Sequence, residues 1–331
     1  MSSVSITARD IFWKFDKHKV RRIILAIFLI ELAIFIYLYQ TNRNLINTAD
    51  NYLGRVQAPA LLFNIYGTDK TPLTRPMSVT VSDNKIFVAD TGNQRIQVFS
   101  SNGDPLFTFG KNGTSKGEFR FPYGIVADDS GKLYVSDLYN GNIQVFSKDG
   151  NFIRYFGSSA DFRKPTGLFM DGKQLYVTDV ATHKVSVFDL QGKKVREFGK
   201  KGKGPGEFNS PNAVAVANGN IVVSDSGNDR VQVFNKLGQF AYYLGESPKG
   251  GKTSFINPRG VGVDARGTIY VVNNIVNQVV GFNNKGEKLF VFGSMGNQPD
   301  QFYLPNGLFV DGQGRVFITD TVNQRVDVYQ N

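Results

Sequence analysis

One group of side chains able to do chemistry recurs along the chain: an aspartate, an asparagine three residues on, and an arginine two further. It stands as Asp90, Asn93 and Arg95, as Asp225, Asn228 and Arg230, and as Asp320, Asn323 and Arg325. A carboxylate, an amide and a guanidinium so close together suit metal binding or proton transfer. They also suit a tight turn, because Asp and Asn side chains bond nearby backbone amides. The arginine can then pair with the aspartate of its own or a neighbouring repeat. An element that returns along a chain is expected to be architecture rather than one active site. Elsewhere the pattern decays: Asn273, Val276 and Gln278 in one copy, Thr182 and Lys184 in another, and Asn142 in place of the arginine in a third. Those copies are expected to be less regular there.

Other reactive side chains are scarce. The 331 residues include two histidines, His18 and His183, and no cysteine, which excludes disulfides and thiolate metal sites. A serine triad would have to use His183, and no Gly-x-Ser-x-Gly turn precedes a helix. The formal charge of +10 reads either as an aid to solubility with a basic membrane flank or as a basic surface for an acidic partner.

The elements that must position these residues are repeated six times. Copies start at Pro76, Pro122, Pro165, Pro211, Pro258 and Pro305, roughly 43–47 residues apart, a period that belongs to four-stranded propeller blades. Each copy has four short runs bounded by Gly, Asn, Asp or Pro. In the first these are Ser78–Val81, Lys85–Ala89, Arg95–Phe99 and Leu106–Phe109. Runs such as Ile86-Phe87-Val88-Ala89 are apolar on both faces, as a sheet packed between two neighbours requires. The last copy ends without a fourth run. Leu61–Gly67 matches that run, so the amino-terminal strand is expected to complete the sixth blade and close the ring. The fold class is therefore an all-β six-bladed propeller over 61–331. In its blades the second-to-third-strand turns and the inter-blade loops share one face, the top.

The pattern Phe-Gly-x-x-Gly…Gly-Glu-Phe-x-x-Pro at Phe109–Pro122 and Phe198–Pro211, with the Asp-x-x-Asn-x-Arg sets, resembles the NHL repeat. NHL propellers include protein-binding and RNA-binding modules, sensors and a few lyases. The resemblance implies that the residue after each proline rings the central axis: Met77, Tyr123, Thr166, Asn212, Arg259 and Asn306. Unlike the aspartate turns, these differ from blade to blade. Arg259 with Asn212 and Asn306 could hold a carboxylate through charge-assisted hydrogen bonds; a water-filled mouth is the alternative. Lys200, Lys201 and Lys203 form either a solvated charge run or a docking patch. The three-histidine zinc site of amidating lyases and the two-histidine pair of streptogramin-type lyases are both impossible here. A calcium-dependent hydrolase or lactonase would need acids converging on the axis, where the mouth offers none; Glu207 is the loop acid that could reach inward. The expectation is a binding or scaffold module without enzymatic activity, cofactor or metal, whose partner is an extracytoplasmic protein or an anionic ligand.

Location follows from the other end. Residues Ile23 to Tyr39 form an almost unbroken apolar run near the minimum for a bilayer-spanning helix. Lys14, Lys17, Lys19, Arg21 and Arg22 precede it, which places the amino terminus in the cytoplasm and the propeller outside. A cleaved signal peptide would carry a small-residue cleavage site, absent here. The expected organisation is a basic segment 1–22, a signal-anchor helix 23–39 and a tether 40–60, in a single-pass protein of the cell membrane. Glu31, mid-span, is either protonated and tolerated or bonded to a partner helix. Exclusion from the cytoplasm makes a nucleic-acid partner unexpected; an inverted topology would restore RNA binding.

Overall fold

The computed structural model describes residues 57–68, 70–245 and 255–330. The basic segment, the apolar run with Glu31, and nearly all of the tether lie outside the described residues. Among the described residues, no helix is long and apolar enough to cross a membrane.

Six antiparallel four-stranded sheets account for the fold. Blade one runs Pro76–Ser82, Lys85–Asp90, Arg95–Ser100 and Pro105–Phe109. Blade two repeats it with Pro122–Ala127, Leu133–Asp137, Asn142–Phe146 and Phe152–Phe156. The remaining blades begin at Pro165, Pro211, Pro258 and Pro305. Ring closure is as the sequence implies: Ala60–Ile65 pairs antiparallel with Arg325–Gln330, with Asn64 opposite Asp327.

The core lies between blades. Phe87, Ile96 and Val98 of blade one interlock with Ile125, Leu133 and Phe146 of blade two and with Phe119 of the connecting loop. Equivalent clusters fill the other five junctions. Burying one such side chain stabilises by about 1.5–3 kcal/mol, so runs apolar on both faces are what holds the ring.

Each first strand carries a register shift just after its proline, between Pro76 and Ser78 in blade one and between Pro122 and Ile125 in blade two. The other four blades repeat it. A bulge leaves a residue out of the ladder and re-aims its side chain. Here the freed residue is the one expected at the axis. Two residues after the proline, blades two, three, five and six have glycine. A Cβ on Gly124 would lie 2.3 Å from the Thr166 carbonyl oxygen, so glycine is needed for the next first strand to approach.

Candidate functional site on the top face

The recurring aspartate is a loop clamp. Asp90, Asp137, Asp179, Asp225 and Asp320, with Asn273 in blade five, each accept a backbone N–H from the residue two before their blade's proline. The donors are Thr74 (2.7 Å), Arg120 (2.7 Å), Arg163 (2.7 Å), Asn209 (2.7 Å), Tyr303 (2.7 Å) and Ile256 (2.8 Å). The asparagine completes it: Asn93, Asn140, Asn228 and Asn323 donate to the aspartate of their own blade. Arg95, Arg230 and Arg325 pair with the same carboxylates at 2.7, 2.8 and 3.2 Å. Architecture is therefore the role of this motif, as expected. Blade two departs only at the arginine position, whereas blades three and five also lack the asparagine; the bond to the incoming loop persists in all six. Burial raises the pKa of Asp225 and Asp320 despite these donors and the paired arginines.

At the axis the structure brings together four of the residues predicted to ring it. The Tyr123 hydroxyl accepts from Asn212 Nδ2 at 2.7 Å and donates toward Asn306 Oδ1 at 3.2 Å. Arg259 Nη1 approaches the same hydroxyl at 3.5 Å. Tyr123, Asn212 and Asn306 are only 6, 3 and 7% exposed. The mouth is thus a polar knot, with blade two tied to blades four and six by one phenol. The resemblance placed these residues around the axis; the bonds turn Asn212 and Asn306 toward Tyr123. Thr166 is buried against Thr178 at 3.0 Å.

Beside the knot lies a cavity of about 450 Å³ lined by Arg75, Met77, Arg259, Asn274, Asn306 and Gln324, among others. No aspartate or glutamate lines it. Buried Arg259 Nε has no acceptor, and the Arg75 guanidinium lies 5.8 Å above the Phe121 ring. Sequence reasoning missed Arg75. It precedes the blade-one proline in a left-handed conformation (φ 50°), which turns it onto the top face. First-strand residues such as Val79, Ile125, Leu168 and Val310, with Ser78, Thr80 and Asp129, line a further channel of about 280 Å³.

Lys200, Lys201 and Lys203 belong to the loop entering blade four. Lys200 pairs with Glu207 at 3.2 Å, and the Lys203 carbonyl accepts from Arg230. Glu207 faces its own loop rather than the axis: it accepts the Gly204 N–H at 2.9 Å, which with Lys200 holds its carboxyl below the ordinary range. His183 takes a left-handed position (φ 59°) and its Nδ1 accepts the Ser210 N–H at 3.0 Å. Burial, with Lys201 nearby, lowers its pKa. Among the described residues no group of three His, Asp or Glu could hold a metal ion.

Six clamped blades around a closed mouth define the class: a six-bladed β-propeller containing NHL repeats. The NHL repeat family matches residues 73–99 and 119–146, and a family described as 6-bladed beta-propeller matches residues 158–243. Protein brain tumor of Drosophila melanogaster is 31% identical over 126 residues, covering 38% of this chain and 12% of that protein. NHL repeat-containing protein 3 of Mus musculus is 30% identical over 106 residues, 30% of each chain. The chain therefore spans from about a tenth to a third of the length of these curated relatives. Among solved structures, a catalytically inactive virginiamycin B lyase from Staphylococcus aureus with Quinupristin aligns with TM-score 0.56 at 15% identity, over 81% of this chain and 87% of that one. The WD40 propeller domain of Doa1 aligns with TM-score 0.56 at 9% identity, over 83% and 98%. At such identities the likeness shows the fold alone.

Proposed function

We propose that this chain is a membrane-tethered binding module whose propeller takes an anionic group of a partner at the top-face cavity between Arg259, Arg75 and Asn306. The observation that carries the reading is the pair of guanidiniums on one cavity with no carboxylate in its wall. Arg259 adds a buried N–H without an acceptor, a donor that an incoming carboxylate would satisfy. Lys200, Lys201 and Lys203 add long-range attraction for an acidic surface, which raises association rate more than affinity. Binding rather than catalysis is favoured by the occupied Nδ1 of His183 and by a mouth whose polar groups largely bond one another. The partner is an extracytoplasmic protein or an anionic ligand, reached because residues 23–39 anchor the chain with its amino terminus in the cytoplasm.

In-cell crosslinking with mass spectrometry tests the site. Arg259→Ala and Arg75→Ala should each remove top-face crosslinks, and Lys201→Glu should weaken them; unchanged crosslinks in both arginine variants would sink the proposal. Alkaline extraction and protease protection of intact cells test the tether: release by alkali, or a propeller shielded on the cytoplasmic side, would reject it.

A further inference from the structure

In blade four the third strand begins with Arg230, and its guanidinium is held on every edge. Nε donates to Asp225 at 2.8 Å, Nη1 to the Lys203 carbonyl at 2.7 Å and the Tyr243 hydroxyl at 3.0 Å, and Nη2 to the carbonyls of Gly204 and Glu207, each at 2.8 Å. Its plane lies 4.9 Å from the Tyr243 ring centroid, within cation–π range.

Blade two builds the same receptacle. Its entry loop carries the parallel bridge Asn112–Phe119 where blade four has Lys201–Phe208. Asn140 donates to the Gly113 carbonyl at 3.0 Å, as Asn228 does to Gly202 at 2.9 Å. Gln144 donates to the Glu118 carbonyl at 2.8 Å, as Gln232 does to Glu207 at 2.8 Å. Tyr155 pairs across the sheet with Gln144, as Tyr243 does with Gln232. Asp137 is fully buried in the place of Asp225.

One part is missing. Asn142 stands where Arg230 would be, and its buried Oδ1 has no partner. The Tyr155 ring is left 38% exposed. No cation pairs with Asp137 among the described residues; its carboxylate is met by four backbone N–H groups and the Asn140 amide. The loop leaving blade two is also shorter than the Phe109–Pro122 loop, and beside it opens a groove of about 810 Å³ whose walls include Asn142, Tyr155, Tyr139 and Arg163. Blade three, which also lacks the arginine, places Lys184 at that position, paired with Glu197.

We infer that the vacancy at Asn142 in blade two is a docking site for an arginine side chain of a partner protein. The molecule supplies the template for its own ligand. A guanidinium entering over Tyr155 reaches the Asn142 side chain on the groove wall; by the blade-four template, a shift of that side chain gives it the buried oxygen, the blade-two carbonyls equivalent to those that hold Arg230, and the charge of Asp137 behind them. Lysine presents neither the planar fork nor the stacking face. Arg163 on the groove wall limits the ligand to one cation, so a single arginine is recognised rather than a basic cluster. This site is separate from the arginine pair beside the mouth and does not depend on it.

The test is ¹⁹F NMR of the full chain labelled with fluorotyrosine, titrated with acetyl-arginine-amide and with acetyl-lysine-amide. The Tyr155 resonance should shift saturably with the arginine compound and at least tenfold less tightly with the lysine compound. Asn142→Arg should abolish the shift by filling the vacancy in cis and should raise the melting temperature; Asn142→Leu, which fills it without a guanidinium, should also abolish the shift. Arg230→Asn should give the Tyr243 resonance a new response to the arginine compound. A shift that persists in Asn142→Leu, equal responses to the two compounds, or no saturable shift in the wild-type chain would overturn the inference.

Discussion

Blades four and two are the same device in two states. Both clamp the incoming loop with a buried aspartate, both brace it with an asparagine and a glutamine, and both set a tyrosine on the outer strand. Blade four locks the assembly with Arg230, whereas blade two holds Asn142 there. The blade-two loop holds without it because Asp137 accepts four backbone N–H groups, where Asp225 accepts one beside three side-chain donors. The arginine is thus a removable reinforcement, and removing it converts a structural joint into an open receptacle. A second difference runs alongside. In blades one, four, five and six, Thr91, Ser226, Asn274 and Thr321 donate to the next blade's proline carbonyl. Blades two and three carry Leu138 and Val180 at that position, whose side chains cannot donate; their backbone N–H groups bond Phe121 and Lys164, just before their own blade's proline.

The comparison can be broken most directly by deletion. Arg230→Ala should cost about 3–5 kcal/mol in chemical denaturation, because it leaves a buried carboxylate unpaired. Asn142→Ala should cost less than about 0.5 kcal/mol, since its carbonyl oxygen bonds nothing. Equal costs would end the distinction between the two blades.

Next in size is Asp327, which occupies in blade six the position held by Gln97, Gln144 and Gln232 in blades one, two and four. Its carboxylate is buried against Arg325 at 2.8 Å and lacks a well-directed hydrogen bond. Burial pushes its pKa up to about 8, even though Arg325 pulls the other way. A raised carboxylate favours folding below the unfolded value and loses that contribution as pH rises through the folded one. Asp327→Gln should therefore stabilise the propeller by about 1–2 kcal/mol at neutral pH, with a gain that grows between about pH 4 and 8. Melting curves across that range check the slope; a gain that shrinks with pH would contradict it.

His183 should give a smaller step of opposite sign. Its lowered pKa means that the unfolded chain takes up the proton first, so stability is full above about 6.5 and falls as pH drops below it. His183→Gln, with the residue found at the equivalent Gln94 and Gln324, should remove that dependence, as melting curves between about pH 5 and 8 would show. Smallest of all is Lys200→Ala. Its partner pair is exposed, and the melting temperature should not move measurably.

The ring was legible because its information is local and repeated. Proline starts, apolar runs and aspartate turns each recur at one spacing, and the missing fourth run of the last copy pointed to Leu61. The candidate site was legible only in part. Position after the proline identified Tyr123, Asn212, Arg259 and Asn306, but not that one phenol would cross the axis to two of them. Contacts between blade two and blades four and six have no spacing in the chain. Arg75 escaped because its placement depends on a left-handed backbone before Pro76, and side-chain type alone does not signal that. The groove beside Asn142 escaped for another reason: it is made by a shorter loop and a smaller residue.

The pairing of Ala60–Ile65 with Arg325–Gln330 has a consequence for the order of synthesis. The strand made first in the propeller pairs with the strand made last. At ordinary elongation rates, roughly 5–20 residues per second, the first strand is without its partner for roughly 15–50 s. Over that interval Phe63 and Ile65, which end packed against blades one and six, have no blade six to enter. The seam that makes the native ring free of edges is therefore, in the nascent chain, its longest-lived unpaired edge, and a chaperone acting on this protein would find its work there.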